Sequence, residues 1–70
     1  DARDLQGLSV DQAKRALSDA GFRGARNIKI RGQQWDLWLD TNGRSDRCYG
    51  FTSYKGRVTE ADEFSPRECR

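Results

Sequence analysis

The fold is decided by residues 9–22, SVDQAKRALSDAGF, because this stretch marks both ends of one helix. Ser9 and Gln12 stand three residues apart in the pattern of a capping box, in which each side chain satisfies a free backbone N–H of the first turn. Gly21 can adopt the left-handed conformation that ends a helix. The pattern predicts a helix from about Val10 to Ala20.

One face of this helix is apolar. Residues at spacings of three and four form a stripe, while the charged residues fall mostly outside it; the stripe is Val10, Ala13, Leu17 and Ala20. An amphipathic helix of this kind buries its stripe against another element. Ahead of it, Leu5 and Leu8 are predicted to anchor the leading segment, and Phe22 to fold back on the last turn.

The rest of the chain alternates apolar and polar residues, as strands do. Turn signals at Asn42-Gly43 and Lys55-Gly56 separate the later strands. Four strands are predicted: one around Ile28 and Ile30, then about Gln34 to Asp40, Arg47 to Tyr54, and Arg57 to Ala61. We therefore expect an α+β fold in a single domain, residues 1–70, with one N-terminal helix packed on a three- to four-stranded antiparallel meander.

The composition describes a small soluble domain with a thin core. Of its 70 residues, 34% are hydrophobic and another 34% are charged. No run of apolar residues is longer than three, which excludes a transmembrane helix within this stretch. The net charge of +2 falls well short of the basic field that drives binding to a phosphate backbone. Nucleic acid is therefore not the expected partner, and we expect a monomer.

The two cysteines, Cys48 and Cys69, have one favoured role. A zinc site needs four ligands and the chain has no His, whereas a redox pair is usually Cys-x-x-Cys. A disulfide between them would close a loop of roughly 20 residues and stabilise the domain by about 3 kcal/mol. The sequence therefore predicts a structural disulfide and, with it, an extracytoplasmic location, periplasmic or secreted.

Catalysis is not expected, because the chain has no His to act as a general base. Asp36 and Asp40 share one face of a strand, and Glu60, Asp62 and Glu63 cluster near the tail, so a glycosidase-like pair is formally possible. Such a pair needs a cleft deep enough to shift one pKa, and a small domain can hardly enclose one. We predict no catalytic residue and no cofactor.

One segment imitates a calcium loop. Asp40, Asn42 and Asp46 offer oxygen ligands around a Gly, but Arg44 stands where the third ligand of an EF-hand belongs. We interpret the segment as a hairpin turn and predict no metal site.

The two tryptophans carry the strongest functional signal. Strand alternation sends Trp35 towards the helix, so Trp38 is expected on the opposite, open face beside Lys29 and Arg31. The third strand leaves two possibilities: Tyr54 joins Trp38 on the open face, or Tyr49 and Phe51 do. Aromatic and basic side chains together are typical of binding surfaces. The candidate binding residues are Trp38, Arg31, Lys29, Tyr54 and Arg47. In the competing interpretation, the disulfide-tethered tail with Phe64 covers this face and forms a second small core.

Residues 4–22 resemble the opening of PASTA repeats, which share a leading strand, a Gly and a helix ending in Ala-Gly-hydrophobic, here Ala20-Gly21-Phe22. The second half departs from that family, since it has two Trp and a Cys pair. The whole pattern resembles small exported bacterial proteins of unassigned role, and its layout is similar to PepSY-like domains and to each half of the β-lactamase-inhibitor proteins. These resemblances imply an extracytoplasmic, non-catalytic module.

Three functional hypotheses follow. The first is a binding or regulatory domain that recognises a cell-envelope component or a protein partner through its aromatic and basic sheet face. The second is an inhibitor of a secreted hydrolase. The third, in another class, is nucleic-acid binding through the set Lys29, Arg31, Arg44, Arg47 and Trp38, and it requires steeply salt-dependent affinity.

Overall fold

The computed structural model describes all of residues 1–70 and confirms the α+β fold. A four-stranded antiparallel sheet, in the order β1-β2-β3-β4, carries one α-helix and two short 3₁₀ turns. In chain order the elements are the first 3₁₀ turn (Ala2–Leu5), α1 (Val10–Asp19), β1 (Arg23–Ile30), β2 (Gln33–Asp40), β3 (Arg47–Tyr54), β4 (Arg57–Phe64) and the second 3₁₀ turn (Pro66–Cys69).

Both predicted ends of the helix are confirmed. The Gln12 N–H donates to Ser9 Oγ at 3.1 Å and the Ser9 N–H donates to Gln12 Oε1 at 3.0 Å, which completes the capping box. Gly21 has a φ of 95°, and the Phe22 N–H donates to the Leu17 carbonyl at 2.9 Å. Phe22 is buried, so the last turn is closed by an apolar contact as well.

The tight hairpin turn predicted at Asn42-Gly43 is wrong. The β2–β3 connection spans residues 41–46, and the Asn42 side-chain amide donates to the Gly21 carbonyl at 3.0 Å. Asn42 therefore holds the end of the helix against the sheet. The turn predicted at Lys55-Gly56 is confirmed, and a second two-residue turn lies at Arg31-Gly32; each has two positive φ angles, as in type I′ hairpins.

The sheet is covered on both faces, and the predicted assignment of faces is wrong. On the helix side, Tyr49 and Phe51 join the helix residues in one core, and Trp38 packs against it; its buried members are Ala2, Leu5, Ala13, Leu17, Phe22, Tyr49, Phe51, Val58 and Ala61. The other face carries Trp35, Leu37, Cys48 and Cys69, with Ile28, Ile30, Leu39 and Phe64 packed against them. Alternation along a strand groups its residues correctly but does not say which group faces the helix.

The tail forms a second core, as the competing interpretation expected. Cys48 and Cys69 are joined by a disulfide, and both are buried. The bond fixes the second 3₁₀ turn over the sheet face opposite the helix, where Phe64 meets Trp35 in an edge-to-face contact with ring centroids 5.3 Å apart. The second core thus replaces the open aromatic face that alternation had suggested.

Gly50 is required by close packing at the centre of the second core. A Cβ built at this position would lie 2.5 Å from Leu37 Cδ2 and 2.7 Å from Phe64 Cε1. We expect Gly50→Ala to lower the free energy of unfolding by about 1–3 kcal/mol, because neighbours on two strands must move. Urea denaturation measures the loss. Gly43→Ala is the control, since its Cβ would meet nothing closer than 3.7 Å; an equal loss in both variants would contradict the packing argument.

The disulfide should supply a large part of the stability. Replacing Cys48 and Cys69 together by Ala should lower the free energy of unfolding by about 3 kcal/mol, because the unfolded chain regains the freedom of the closed loop. Chemical denaturation of the variant and of the reduced wild-type protein should agree. A loss below about 1 kcal/mol in both, well under the value for a loop of this length, would refute this account.

Candidate binding cleft

The sheet divides into two arms at one end. The ladder between β2 and β3 runs from Asp40 and Arg47 to Asp36 and Phe51 and then stops. Beyond it, residues 33–35 of β2 pair only with β1, and residues 52–54 of β3 pair only with β4. The β1–β2 hairpin and the β3–β4 hairpin therefore separate, and a cleft opens between them.

Unpaired backbone groups face each other across this cleft. Ile30 and Gln33 flank a two-residue turn and pair with each other, so Gln34 directs its N–H and C=O to the opposite side of β2. The same alternation in the β3–β4 hairpin directs the backbone groups of Ser53 towards β2. Gln34 and Ser53 would form the next rung of the ladder, yet no pairing joins them. The cleft thus offers two donors and two acceptors of the main chain.

Most of the residues that line the cleft are polar. It has a volume of about 670 Å³, and of its twelve lining residues only Val10, Phe51 and Tyr54 are apolar. Its other side chains include amides, hydroxyls and the carboxylates of Asp36 and Glu60. Such a lining is suited to a ligand that both donates and accepts hydrogen bonds.

Tyr54 gives the cleft an exposed aromatic ring. Its exposed fraction is 67%, and no other large apolar residue is exposed in this way. The Lys55 Nζ lies 5.4 Å from the centroid of the ring. An exposed ring beside a cation is a common element of binding sites.

Two cations stand at the ends of the arms in an unfavourable backbone conformation. Arg31 has a φ of 51° and Lys55 a φ of 49°, and each is followed by a Gly in its turn. The left-handed conformation costs a residue with a Cβ roughly 1–2 kcal/mol, and Asn or Gly usually occupies it. Both arms therefore end on a long cationic side chain in a strained backbone conformation.

Asp36 lies at the base of the cleft, where the β2–β3 ladder ends. It is half-buried, and the Trp38 indole N–H donates to its Oδ1 at 3.1 Å. Burial raises the pKa of the Asp36 carboxyl above its usual value of 3.8, although the nearby Lys14 ammonium and the Trp38 hydrogen bond oppose the rise. The carboxyl is accordingly a group whose charge is costly to the fold.

The five predicted binding residues do not lie on one face. Trp38 is half-buried against the helix-side core and faces the helix, contrary to expectation. Lys29 is exposed on β1, and Arg31 and Tyr54 belong to opposite arms. Arg47 bonds to Glu63 at 3.2 Å, and its guanidinium carbon lies 5.2 Å from the centroid of the Tyr49 ring. Of the five, only Tyr54 lines the cleft, and Arg31 adjoins it through Gly32.

The free edge of the sheet is basic. Arg23, Arg26 and Lys29 are exposed along β1, which has no partner on its outer side. The edge of β4 is covered instead, since the Gly7 N–H donates to the Val58 carbonyl and the Val58 N–H to the Leu8 carbonyl, both at 2.9 Å. Charged side chains on a free edge oppose pairing with other chains. The basic residues of β1 are therefore consistent with protection of a free edge.

The segment that imitates a calcium loop is held by protein partners. The Asp40 carboxylate accepts the Asn42 N–H at 2.9 Å, and the Asp46 carboxylate bonds to the Arg70 guanidinium at 2.7 Å. No group of three or more potential metal ligands among His, Cys, Asp and Glu comes together in the structure. The loop serves to connect β2 and β3.

Gln34 and Ser53 were not predicted, and Glu60 was considered only as a member of an acidic cluster near the tail. The sequence signal that could have indicated Gln34 and Ser53 is the pair of turn dipeptides, Arg31-Gly32 and Lys55-Gly56. Gln34 lies two residues after the first turn and Ser53 two residues before the second. Periodicity alone does not reveal that the ladder between those hairpins stops early.

Comparisons with models of known protein families, with curated proteins and with solved structures find no match for this chain. Its one α-helix is too short and too polar to cross a membrane.

The raised pKa of Asp36 should make the stability of the fold depend on pH. Because the folded state holds the proton of this carboxyl more tightly than the unfolded chain does, stability falls as the pH rises through the window between 3.8 and the raised pKa. We expect Asp36→Asn, whose amide oxygen still accepts the Trp38 N–H, to flatten this part of the profile and to raise the Tm at neutral pH.

Thermal unfolding followed by circular dichroism, from acid to neutral pH, measures both effects. Asp62→Asn is the control, because it removes the same charge at an exposed position of β4. If Asp36→Asn and Asp62→Asn shift the profile alike, burial of Asp36 is not its cause.

Proposed function

We propose that this chain is a non-catalytic, extracytoplasmic binding module whose ligand, a component of the cell envelope, lies in the cleft between the two hairpin arms. The observation that carries the proposal is the interrupted ladder, which leaves the backbone groups of Gln34 and Ser53 free inside an open, polar cleft. A free main-chain N–H or C=O keeps its full hydrogen-bonding capacity, and a ligand can satisfy it.

The surroundings of the cleft support the same proposal. Tyr54 exposes its ring at the cleft, and the strained tips of the arms carry Arg31 and Lys55. Strained backbone at a surface concavity is a feature of binding sites. The disulfide is the feature that favours an extracytoplasmic location. The aromatic and basic face predicted from sequence gives way to this cleft, because both faces of the sheet are covered.

The experiment is a chemical-shift titration of the labelled protein with soluble peptidoglycan fragments. We expect the largest amide shifts at Gln34, Ser53 and Tyr54. Tyr54→Ala should weaken binding roughly two- to tenfold, the range expected for one aromatic contact, whereas Tyr54→Phe keeps the ring and should retain most of the affinity. Absence of shifts, or shifts confined to the basic edge of β1, would contradict the proposal.

A second candidate, inhibition of a secreted hydrolase, is favoured by the two hairpin tips. Arg31 and Lys55 end rigid two-residue turns, and a cationic tip of this kind complements the acidic cleft of a glycoside hydrolase. Assays against lysozymes, proteases and β-lactamases test it. Inhibition that survives Tyr54→Ala but is lost when a tip cation is replaced would favour this candidate over the binding module.

A further inference from the structure

The composition of the cleft points to the chemistry of its ligand. We propose that the ligand is an acidic glycan with acetamido groups: its sugar rings lie along the cleft and its carboxylates reach the cations at the hairpin tips. This inference rests on the proposed binding function and adds the class of ligand to it.

The short extent of free main chain favours a glycan over a peptide. Recognition of an extended peptide takes its affinity from a row of main-chain hydrogen bonds, whereas this cleft offers the main-chain groups of only two residues, Gln34 and Ser53. Here the walls offer amides, hydroxyls and carboxylates, which match the many hydroxyl groups of a sugar. The exposed ring of Tyr54 supplies the flat apolar surface against which the C–H face of a pyranose packs.

The interrupted ladder favours an acetamido group. Gln34 and Ser53 each direct one N–H and one C=O into the cleft. A secondary amide carries one donor and one acceptor, so a single acetamido group can accept from one strand and donate to the other. It would occupy the position of the missing rung.

The two tips favour negative charge on the ligand. Arg31 and Lys55 occupy left-handed turn positions at which Asn or Gly would cost less, and the strain occurs independently on both arms. Arg31 precedes Gly32, and Lys55 follows Tyr54, and both of those neighbours line the cleft. A strained residue that recurs at one site indicates a functional constraint, and guanidinium and ammonium groups bind carboxylates well.

The carboxylates of the cleft are separated from this cationic end. Asp36 follows Arg31 by five residues along β2, which is about 16 Å in an extended strand. Glu60 pairs with Thr52, three residues before Lys55, or about 10 Å along β3. The acidic residues that line the cleft are thus separated along the strands from the two cations of the turns, which lie next to the lining residues Gly32 and Tyr54. Hydroxyl hydrogens of a glycan bond to the acidic residues, and its carboxylates lie at the two cations.

Three tetrasaccharides separate these contributions. Hyaluronan tetrasaccharide carries both acetamido groups and carboxylates, chitotetraose carries acetamido groups alone, and cellotetraose carries neither. Titration of the wild-type protein should give affinity in that order. We expect hyaluronan to bind about tenfold more tightly than chitotetraose, because each exposed cation contributes roughly three- to fivefold.

Substitution of the tips provides the decisive variants. Arg31→Asn and Lys55→Asn should each weaken hyaluronan binding about three- to fivefold and leave chitotetraose binding unchanged. Each should also raise the Tm by roughly 4 °C or more, because Asn tolerates the left-handed turn position. Loss of binding with a higher Tm cannot be attributed to misfolding. Arg44→Asn removes an equal charge in the β2–β3 loop, away from the tips, and should leave the ratio of the two affinities unchanged.

The outcomes distinguish this inference from the proposed function. Equal affinity for hyaluronan and chitotetraose would overturn the acidic ligand, while shifts at the cleft would leave a binding module in place. Tighter binding at the cleft by an acidic peptide, acetyl-Ala-Glu-Ala-Glu-amide, would overturn the glycan and again leave the module. No shift at Gln34 or Ser53 with any of the sugars, the peptide or the peptidoglycan fragments would overturn both.

Discussion

The structure depends on the bond between Cys48 and Cys69, because that bond lets a chain of 70 residues cover both faces of its sheet. The single helix covers one face only. Without the tethered 3₁₀ turn, Trp35 and Leu37 would face water, although Leu37 is fully buried in the structure. In a domain of this size a single hydrophobic core contributes little to the free energy of folding. Here two small cores and the disulfide that links them contribute together.

Covering both faces also determines where a ligand can bind. The helix occupies one side of the sheet and the tail occupies the other, so the remaining concavities lie at edges and ends. At the turn end of the arms the β2–β3 ladder stops after Asp36 and Phe51, and this termination creates a recess with free main-chain groups. The recognition chemistry that we propose therefore follows from strand pairing and does not require an exposed aromatic face.

Local signals predicted the elements, but the arrangement depends on contacts between distant residues. Ser9, Gln12 and Gly21 define the helix because capping acts within one turn, and the cysteine inventory led to the disulfide. The prediction that Trp38 faces away from the helix was wrong, because alternation shows which residues share a face of the sheet but not which face the helix covers. Gln34 and Ser53 were missed because the end of a ladder is decided by how two hairpins twist relative to each other, which no short window of sequence records.

The short ladder between β2 and β3 joins the two hairpin arms. It consists of five residue pairs, and it is covered by the helix on one side and by the disulfide-bonded tail on the other. Folding and the proposed recognition consequently depend on the same few strand contacts. A change that loosens these contacts is expected to alter the width of the cleft, so the affinity for the proposed ligand should respond to the integrity of the core as stability does.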